Sequence, residues 1–298
     1  MIRVSIVQFD AAPLMPDDNI ERICAFIKQE ARQGCELVIL PELSNTGYVE
    51  PLVPGGPMVS DVPHYPQALF DACADLNGPH VEALQNTAAD CNISLVIGLG
   101  IRDRALSGVM RNASLLITPS GLGGIYFKVH QWHNEKLYFT RGNSIDTFPC
   151  LGTRVGMQIC YDIRFPEITR IMASRGAGII TSVWASFGAA GQPLADPGLF
   201  IHRAYTRAIE NGVFFLSCNR AGLHGEQQFF GRSCAIAPDG RILGNLDHHS
   251  EDVLRVELDL QDIARYRTAT GIWADRVPDL YARYAPVLGQ NAIAGDPE

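Results

Sequence analysis

A glutamate, a lysine and a cysteine each stand directly behind an apolar run in this chain: Glu42 after Leu37-Val38-Ile39-Leu40-Pro41, Lys128 after Ile125-Tyr126-Phe127, and Cys160 after Arg154-Val155-Gly156-Met157-Gln158-Ile159. Together they make a chemically complete set. A cysteine is a useful nucleophile only as thiolate, so a neighbour must take its proton or lower its pKa, and a glutamate and an ammonium do these two things. The ammonium can also face the oxyanion that develops when the thiolate attacks a carbonyl or nitrile carbon. The glutamic acid then returns a proton to the departing amine, and the glutamate later acts as base for the water that releases the acyl group. Taken singly, each residue has a plainer explanation: a packed core thiol, a solvated strand end, a carboxylate at a helix start. The spacing among the three decides nothing, so their surroundings must.

Groups this far apart meet only where a fold gathers its loops, and α/β sheets do so behind their strands. The apolar pattern predicts a strand at Val4–Phe9, a helix over about Asp17–Gln33, a buried strand Leu37–Leu40, a helix over about Val81–Cys91 and a strand Ser94–Gly98. An apolar strand near Ala113–Ile117, a turn through Pro119-Ser120-Gly121 and a strand Ile125–Lys128 suggest a hairpin. Strand Arg154–Ile159 leads into a helix that Pro166 starts. Strand Ile179–Val183, a helix over about Ile201–Asn211, and strands Phe214–Ser217, Ser233–Ala237 and Val253–Leu258 complete the pattern. Residues 51–80, rich in proline and glycine, read as a long irregular excursion that shapes substrate access, and the stretch after about Arg276 shows no period. Strands apolar at both alternating positions must be covered on both faces, while mixed hairpins can pair two sheets. The fold class is therefore α/β, a layered sandwich, with one domain over residues 1–280 and a C-terminal tail over 281–298.

The 298 residues are 47% hydrophobic, enough to bury a sizeable core. A net charge of -8 and scattered Lys and Arg leave no basic run to track phosphates, so no nucleic-acid partner is expected. The opening Met1–Phe9 run is too short for a signal peptide, and no stretch approaches the roughly 20 apolar residues that span a membrane. A cytoplasmic protein without a membrane partner is expected. Eight cysteines with no Cys-x-x-Cys pair predict reduced thiols rather than a disulfide frame or zinc site, and neither metal nor cofactor is expected.

The sequence around the three residues resembles the nitrilase superfamily, the carbon-nitrogen hydrolases that work with a Glu-Lys-Cys triad. Pro41-Glu42-Leu43-Ser44-Asn45-Thr46-Gly47-Tyr48 looks like the family's glutamate motif, Tyr126-Phe127-Lys128-Val129-His130 like its lysine motif, and Cys160-Tyr161-Asp162-Ile163-Arg164-Phe165-Pro166-Glu167 like its cysteine motif. Arg207-Ala208-Ile209-Glu210-Asn211, Ser217-Cys218-Asn219-Arg220 and Gly231-Arg232-Ser233-Cys234 follow in the family's order, so the resemblance covers nearly the whole chain. It implies a four-layer αββα sandwich that forms a homodimer or higher homo-oligomer, with the 281–298 tail at an interface. It also implies Glu135 as a second glutamate that orients the lysine and polarises the substrate, and the Tyr161 backbone N–H as partner of Lys128 in an oxyanion hole.

The Cys-Tyr-Asp-x-Arg-Phe-Pro-Glu form is similar to the amidase and carbamoylase branches, whereas true nitrilases carry Trp-Glu after the nucleophile. The implied activity is hydrolysis of a non-peptide carbon-nitrogen bond in a small linear amide, through a thioester on Cys160, releasing ammonia and a carboxylic acid. An N-carbamoyl amine or amino acid, giving carbon dioxide as well, is the alternative, ahead of nitrile hydrolysis or a non-catalytic binding member. Arg164 belongs to the motif and reads as a structural contact. Tyr48, Trp132, His133, Trp184 and Ala185 are the candidates for the substrate pocket. The loop His130-Gln131-Trp132-His133-Asn134 departs from relatives that continue with leucine or proline, so specificity does not transfer from them. His130 and His133 invite a Cys-His reading, yet the family chemistry needs no histidine base, and both fit hydrogen-bonded loop positions.

Overall fold

The computed structural model describes residues 1–49, 65–192, 194, 196 and 198–288. The first half of the chain forms β1 (Ile2–Gln8), α1 (Pro16–Arg32), β2 (Leu37–Leu40), α2 (Tyr65–Ala72), α3 (Pro79–Cys91), β3 (Ser94–Arg102), β4 (Met110–Thr118), β5 (Gly121–Phe127), α4 (Glu135–Tyr138), β6 (Thr147–Cys150) and β7 (Thr153–Ile159). The second half adds α5 (Pro166–Ser174), β8 (Ile179–Trp184), β9 (Phe187–Ala189), α6 (Leu199–Asn211), β10 (Phe214–Asn219), β11 (Leu223–His224), β12 (Gln227–Phe229), β13 (Cys234–Ile236), β14 (Ile242–Asn245), β15 (Asp252–Leu258), α7 (Gln261–Thr270) and α8 (Pro278–Leu288). They build two six-stranded sheets, ordered β15-β1-β2-β3-β4-β5 and β14-β13-β10-β8-β7-β6, with a small sheet β11-β12-β9 beside them.

Each large sheet centres on a parallel triplet, β1-β2-β3 or β7-β8-β10. Parallel neighbours need crossover connections, which α1 and α3 supply in one sheet and α5 and α6 in the other. Successive strand residues point to opposite faces, and β2 shows both. Its Leu37 and Ile39 join the core between the sheets, while Val38 and Leu40 join the core with Ile20, Ile23 and Ile27 of α1 and Val81 and Leu84 of α3. On the other side, Ile168 and Met172 of α5 and Phe200 and Ala204 of α6 close the second sheet. The layers run helix, sheet, sheet, helix, the expected αββα sandwich.

Two expectations change. Within the 51–80 excursion, Tyr65–Ala72 is helical and α3 already begins at Pro79, while residues 50–64 lie outside the described residues. Helix α8 occupies the stretch read as without a period and crosses the expected boundary at 280; residues 289–298 of the tail lie outside the described residues. Its Leu280, Tyr281 and Tyr284 are 39%, 48% and 63% exposed, so no buried stripe imposes a helical pattern on the sequence. No described helix is long and apolar enough to cross a membrane.

Candidate active site

Three strand ends place the three residues. After β2, Pro41 offers no N–H to a sheet ladder, and Leu43 at φ 51 turns the chain sharply behind Glu42. The turn lies hard against β3, where a Cβ on Gly98 would stand 2.5 Å from the Glu42 Cα, so only glycine fits. At the end of β5, the Lys128 N–H donates to the Asn112 carbonyl at 2.9 Å, and the Lys128 carbonyl accepts from the Gly142 N–H at 2.7 Å and the Gln131 amide at 2.9 Å. Cys160 opens a tight 3-10 turn, Cys160–Arg164, at φ 45. Left-handed backbone at a residue with a side chain stores about 1–3 kcal/mol and persists only where neighbours enforce it.

Asp162 does the enforcing. Its buried carboxylate accepts from the Ile159 N–H at 3.1 Å, the Tyr126 hydroxyl at 2.8 Å and the His130 N–H at 3.0 Å, and it pairs with His130 Nδ1 at 2.8 Å. One carboxylate thereby ties the cysteine turn to the lysine strand and the loop behind it. The His130 ring also stacks on Phe165 at 3.6 Å, so it is a hydrogen-bonded loop residue.

Lys128 is fully buried, with Nζ 2.7 Å from Glu42 Oε1 and 2.8 Å from Glu135 Oε1. Charges out of water are tolerated only when hydrogen bonds replace their hydration. Asn112 Nδ2 donates to Glu42 Oε1 at 2.7 Å, the Ala185 N–H to Glu42 Oε2 at 2.9 Å, and the Tyr48 hydroxyl to Glu135 Oε1 at 2.7 Å. Among the described residues, Glu135 Oε2 has no hydrogen-bond partner. Burial alone would strip the Lys128 proton, but Glu135 and Glu42 hold the ammonium above its ordinary range. Burial pushes Glu135 up to about 7, against the pull of Lys128 and with the push of Glu42.

Burial and then Glu42 raise the Cys160 thiol above its ordinary range, and Lys128 offsets only part of this. The expected lowering by the ammonium is thus outweighed, because two carboxylates face one cation in a dry site. The resting sulfur is a thiol, so its proton must leave during attack, to a base already in place.

A pH dependence follows from Glu135. As pH falls through about 7 the carboxyl takes up a proton and loosens its hold on Lys128, so kcat/KM is expected to rise with pH through that range and level off above it. Glu135→Gln should remove this limb and lower the plateau by about 10²-fold. A native profile flat between about pH 5 and 9 would count against it. Stability moves the other way. Between 4.5 and about 7 the native state holds a proton that the unfolded chain has released, so this group's contribution falls as pH rises.

Cys160 lines a cavity of about 470 Å³, together with Tyr48, Trp132, Trp184 and Ala185 from the expected pocket. His133 does not line it: exposed and at φ 41, it packs edge-on against Trp132 with ring centroids 4.1 Å apart. Arg164, read as a structural contact, lines the cavity and lies over the Trp132 and Tyr161 rings at 5.0 and 5.4 Å. The sequence reading missed Asn112 and Arg203. Local pattern shows only that Asn112 is a polar residue beside an apolar strand run and that Arg203 sits beside the Phe200, Ala204, Ala208 stripe of α6, which does not single out either.

Residues 3–268 match the model of the carbon-nitrogen hydrolase family. The 2-oxoglutaramate amidase of Bacillus subtilis (strain 168) is 31% identical over 281 residues, which are 93% of this chain and 98% of that protein. A probable nitrilase of Schizosaccharomyces pombe is 28% identical over 292 residues, 95% of this chain and 98% of its own length. Among solved structures, a glutamate variant of the amidase from Nesterenkonia sp. AN1, with the acetamide moiety of fluoroacetamide added covalently at its active-site cysteine, is 25% identical with a TM-score of 0.74, covering 95% of this chain and 96% of that one.

Proposed function

This chain belongs to the carbon-nitrogen hydrolase family, in its amidase branch, and from that premise we propose that it converts a small linear amide to ammonia and a carboxylic acid through a thioester on Cys160. The observation that carries the reading is the buried contact of Lys128 with Glu42 and Glu135 beside a cavity that Cys160 lines.

Glu42 takes the Sγ proton as the sulfur attacks the amide carbon, and the carbonyl electron pair moves onto oxygen, facing Lys128 Nζ and the Tyr161 N–H. Glu135 holds the ammonium in place, and its Oε2, without a partner among the described residues, is available to the substrate's amide N–H. Collapse of the adduct breaks the carbon-nitrogen bond, the Glu42 carboxyl protonates the departing nitrogen, and ammonia leaves a thioester. Water then gives a proton to Glu42 and attacks that thioester, and the proton returns to Cys160 as the acid departs.

Ammonia release from a panel of short aliphatic and side-chain amides, with intact-mass detection of an acyl adduct on Cys160, tests the reading. We expect both signals from at least one amide. Neither signal from any amide would sink the proposal, and carbon dioxide accompanying the ammonia would move it to an N-carbamoyl substrate.

A further inference from the structure

Arg220, the last residue of the Ser217-Cys218-Asn219-Arg220 motif, is 1% exposed, and its ion-pair partner among the described residues, the partly exposed Asp10, stands 4.0 Å away. Burial pushes the guanidinium down to about 10, and Asp10 offsets only part of this. A cation stays out of water only where dipoles and hydrogen bonds replace its hydration. Here two carbonyls and a ring do so. Nη2 donates to the Ala11 carbonyl, Nη1 donates to the Tyr48 carbonyl at 3.4 Å, and the guanidinium carbon lies 3.9 Å from the centroid of the Phe229 ring. Nε has no hydrogen-bond partner among the described residues. An apolar side chain would fill this place at lower cost, so the charge needs another reason.

The reason lies at Tyr48, on which the contacts of Arg220 converge. Tyr48 belongs to neither helix nor strand, so no ladder holds its backbone. Its ring packs on Phe187 with centroids 5.6 Å apart, Phe187 packs on Phe229 at 5.6 Å, and Phe229 carries the guanidinium. The circuit closes through the Tyr48 carbonyl and leaves one polar group aimed elsewhere: the Tyr48 hydroxyl, 2.7 Å from Glu135 Oε1. The Arg220 backbone N–H also donates at 3.0 Å to the Trp184 carbonyl, which accepts from the Glu42 N–H at 3.3 Å. Resting on the amidase reading above, we propose that Arg220 is a positioning residue of this site: its buried guanidinium fixes Tyr48 so that the tyrosine hydroxyl stays on Glu135 Oε1, the oxygen that faces Lys128. A hydrogen bond donated to a carboxylate favours its charged form. Lys128, Glu42, Cys160 and Tyr48 all face Glu135, and the tyrosine is the member of this group that Arg220 holds. Once Tyr48 is released, the Glu135 carboxyl takes up its proton at higher pH.

The test follows butanamide hydrolysis by the full-length protein against pH and, without turnover, alkylation of Cys160 by iodoacetamide, read by mass spectrometry of the Cys160 peptide. In Arg220→Leu and in Tyr48→Phe the acid limb of kcat/KM, and the matching inflection in alkylation rate, should move up by about one pH unit, the size of one lost hydrogen bond to a charged group. The double variant should move no further than Tyr48→Phe alone, since both changes act on one contact. Arg220→Lys, which returns the charge without the planar fork, should lie between. A limb at the native position in Arg220→Leu, or in Arg220→Lys where the leucine variant does not fold, marks a merely structural arginine and overturns the proposal, whatever the loss of rate. So does a limb that Tyr48→Phe leaves in place. Alkylation inflections that move as expected, without ammonia from any amide of the panel above, would keep Arg220 in its positioning role and end the amidase reading. Amide cleavage with unmoved limbs would do the reverse.

Discussion

Cys160→Ala is expected to lower kcat for amide hydrolysis by at least about 10⁴-fold while the protein stays folded. The size follows from the chemistry: without a sulfur no thioester forms, and the remaining groups can only polarise a bound amide. Glu42, Glu135 and Lys128 would still surround the carbonyl, but the water they could activate lacks the position of the attacking atom. Folding should survive because the strained turn at φ 45 is fixed by the hydrogen bonds of Asp162, not by the thiol. The lost sulfur faces an existing cavity, so no closed void is created and the stability change should stay within about 1 kcal/mol. Ammonia release together with a denaturation curve checks both halves. Turnover within about tenfold of native would remove Cys160 from the mechanism, and an unfolded variant would show that the sulfur holds the turn.

Glu42, Lys128 and Cys160 were legible because each follows a strand whose apolar run announces itself, and buried parallel strands make such runs nearly continuous. Family motifs, not local pattern, pointed to Glu135: it opens α4, a single turn of four residues, too short to show any period. Asn112 and Arg203 were hidden for a different reason. The use of Asn112 depends on strand register, which pairs it with Gly100 and carries its amide to Glu42, and register is a property of two strands together. Arg203 matters because α6 delivers it to a cavity whose other walls come from five or more distant segments. Electrostatic sign was equally invisible. Reading the ammonium as a depressor of the thiol pKa needed the count of carboxylates around it, and Tyr48, Glu42 and Glu135 come together only in three dimensions.

Lys128→Met is expected to destabilise the protein by about 3–5 kcal/mol as well as to reduce kcat by about 10³-fold or more. Methionine has a similar length and suits a buried site, so the packing changes little. What changes is charge. Nζ is the cation that both Glu42 Oε1 and Glu135 Oε1 contact, and neither side chain reaches water. Without it two buried carboxylates face each other, and at least one must bind a proton to remain inside. Glu135, already pushed up to about 7 with Lys128 pulling it down, would rise further. The destabilisation should therefore be largest above neutral pH, where the unfolded chain has released protons that the variant's native state must keep, and it should shrink as pH falls toward about 5. The exposed pair Arg3–Glu257, 3.7 Å apart with both side chains more than half exposed, offers the contrast, since water replaces either partner. Adding Glu135→Gln to Lys128→Met removes one uncompensated charge and should recover stability without recovering activity. Denaturant unfolding at about pH 8 measures the loss. A variant as stable as the native protein at that pH would mean that the site holds its carboxylates by some means other than the buried ammonium.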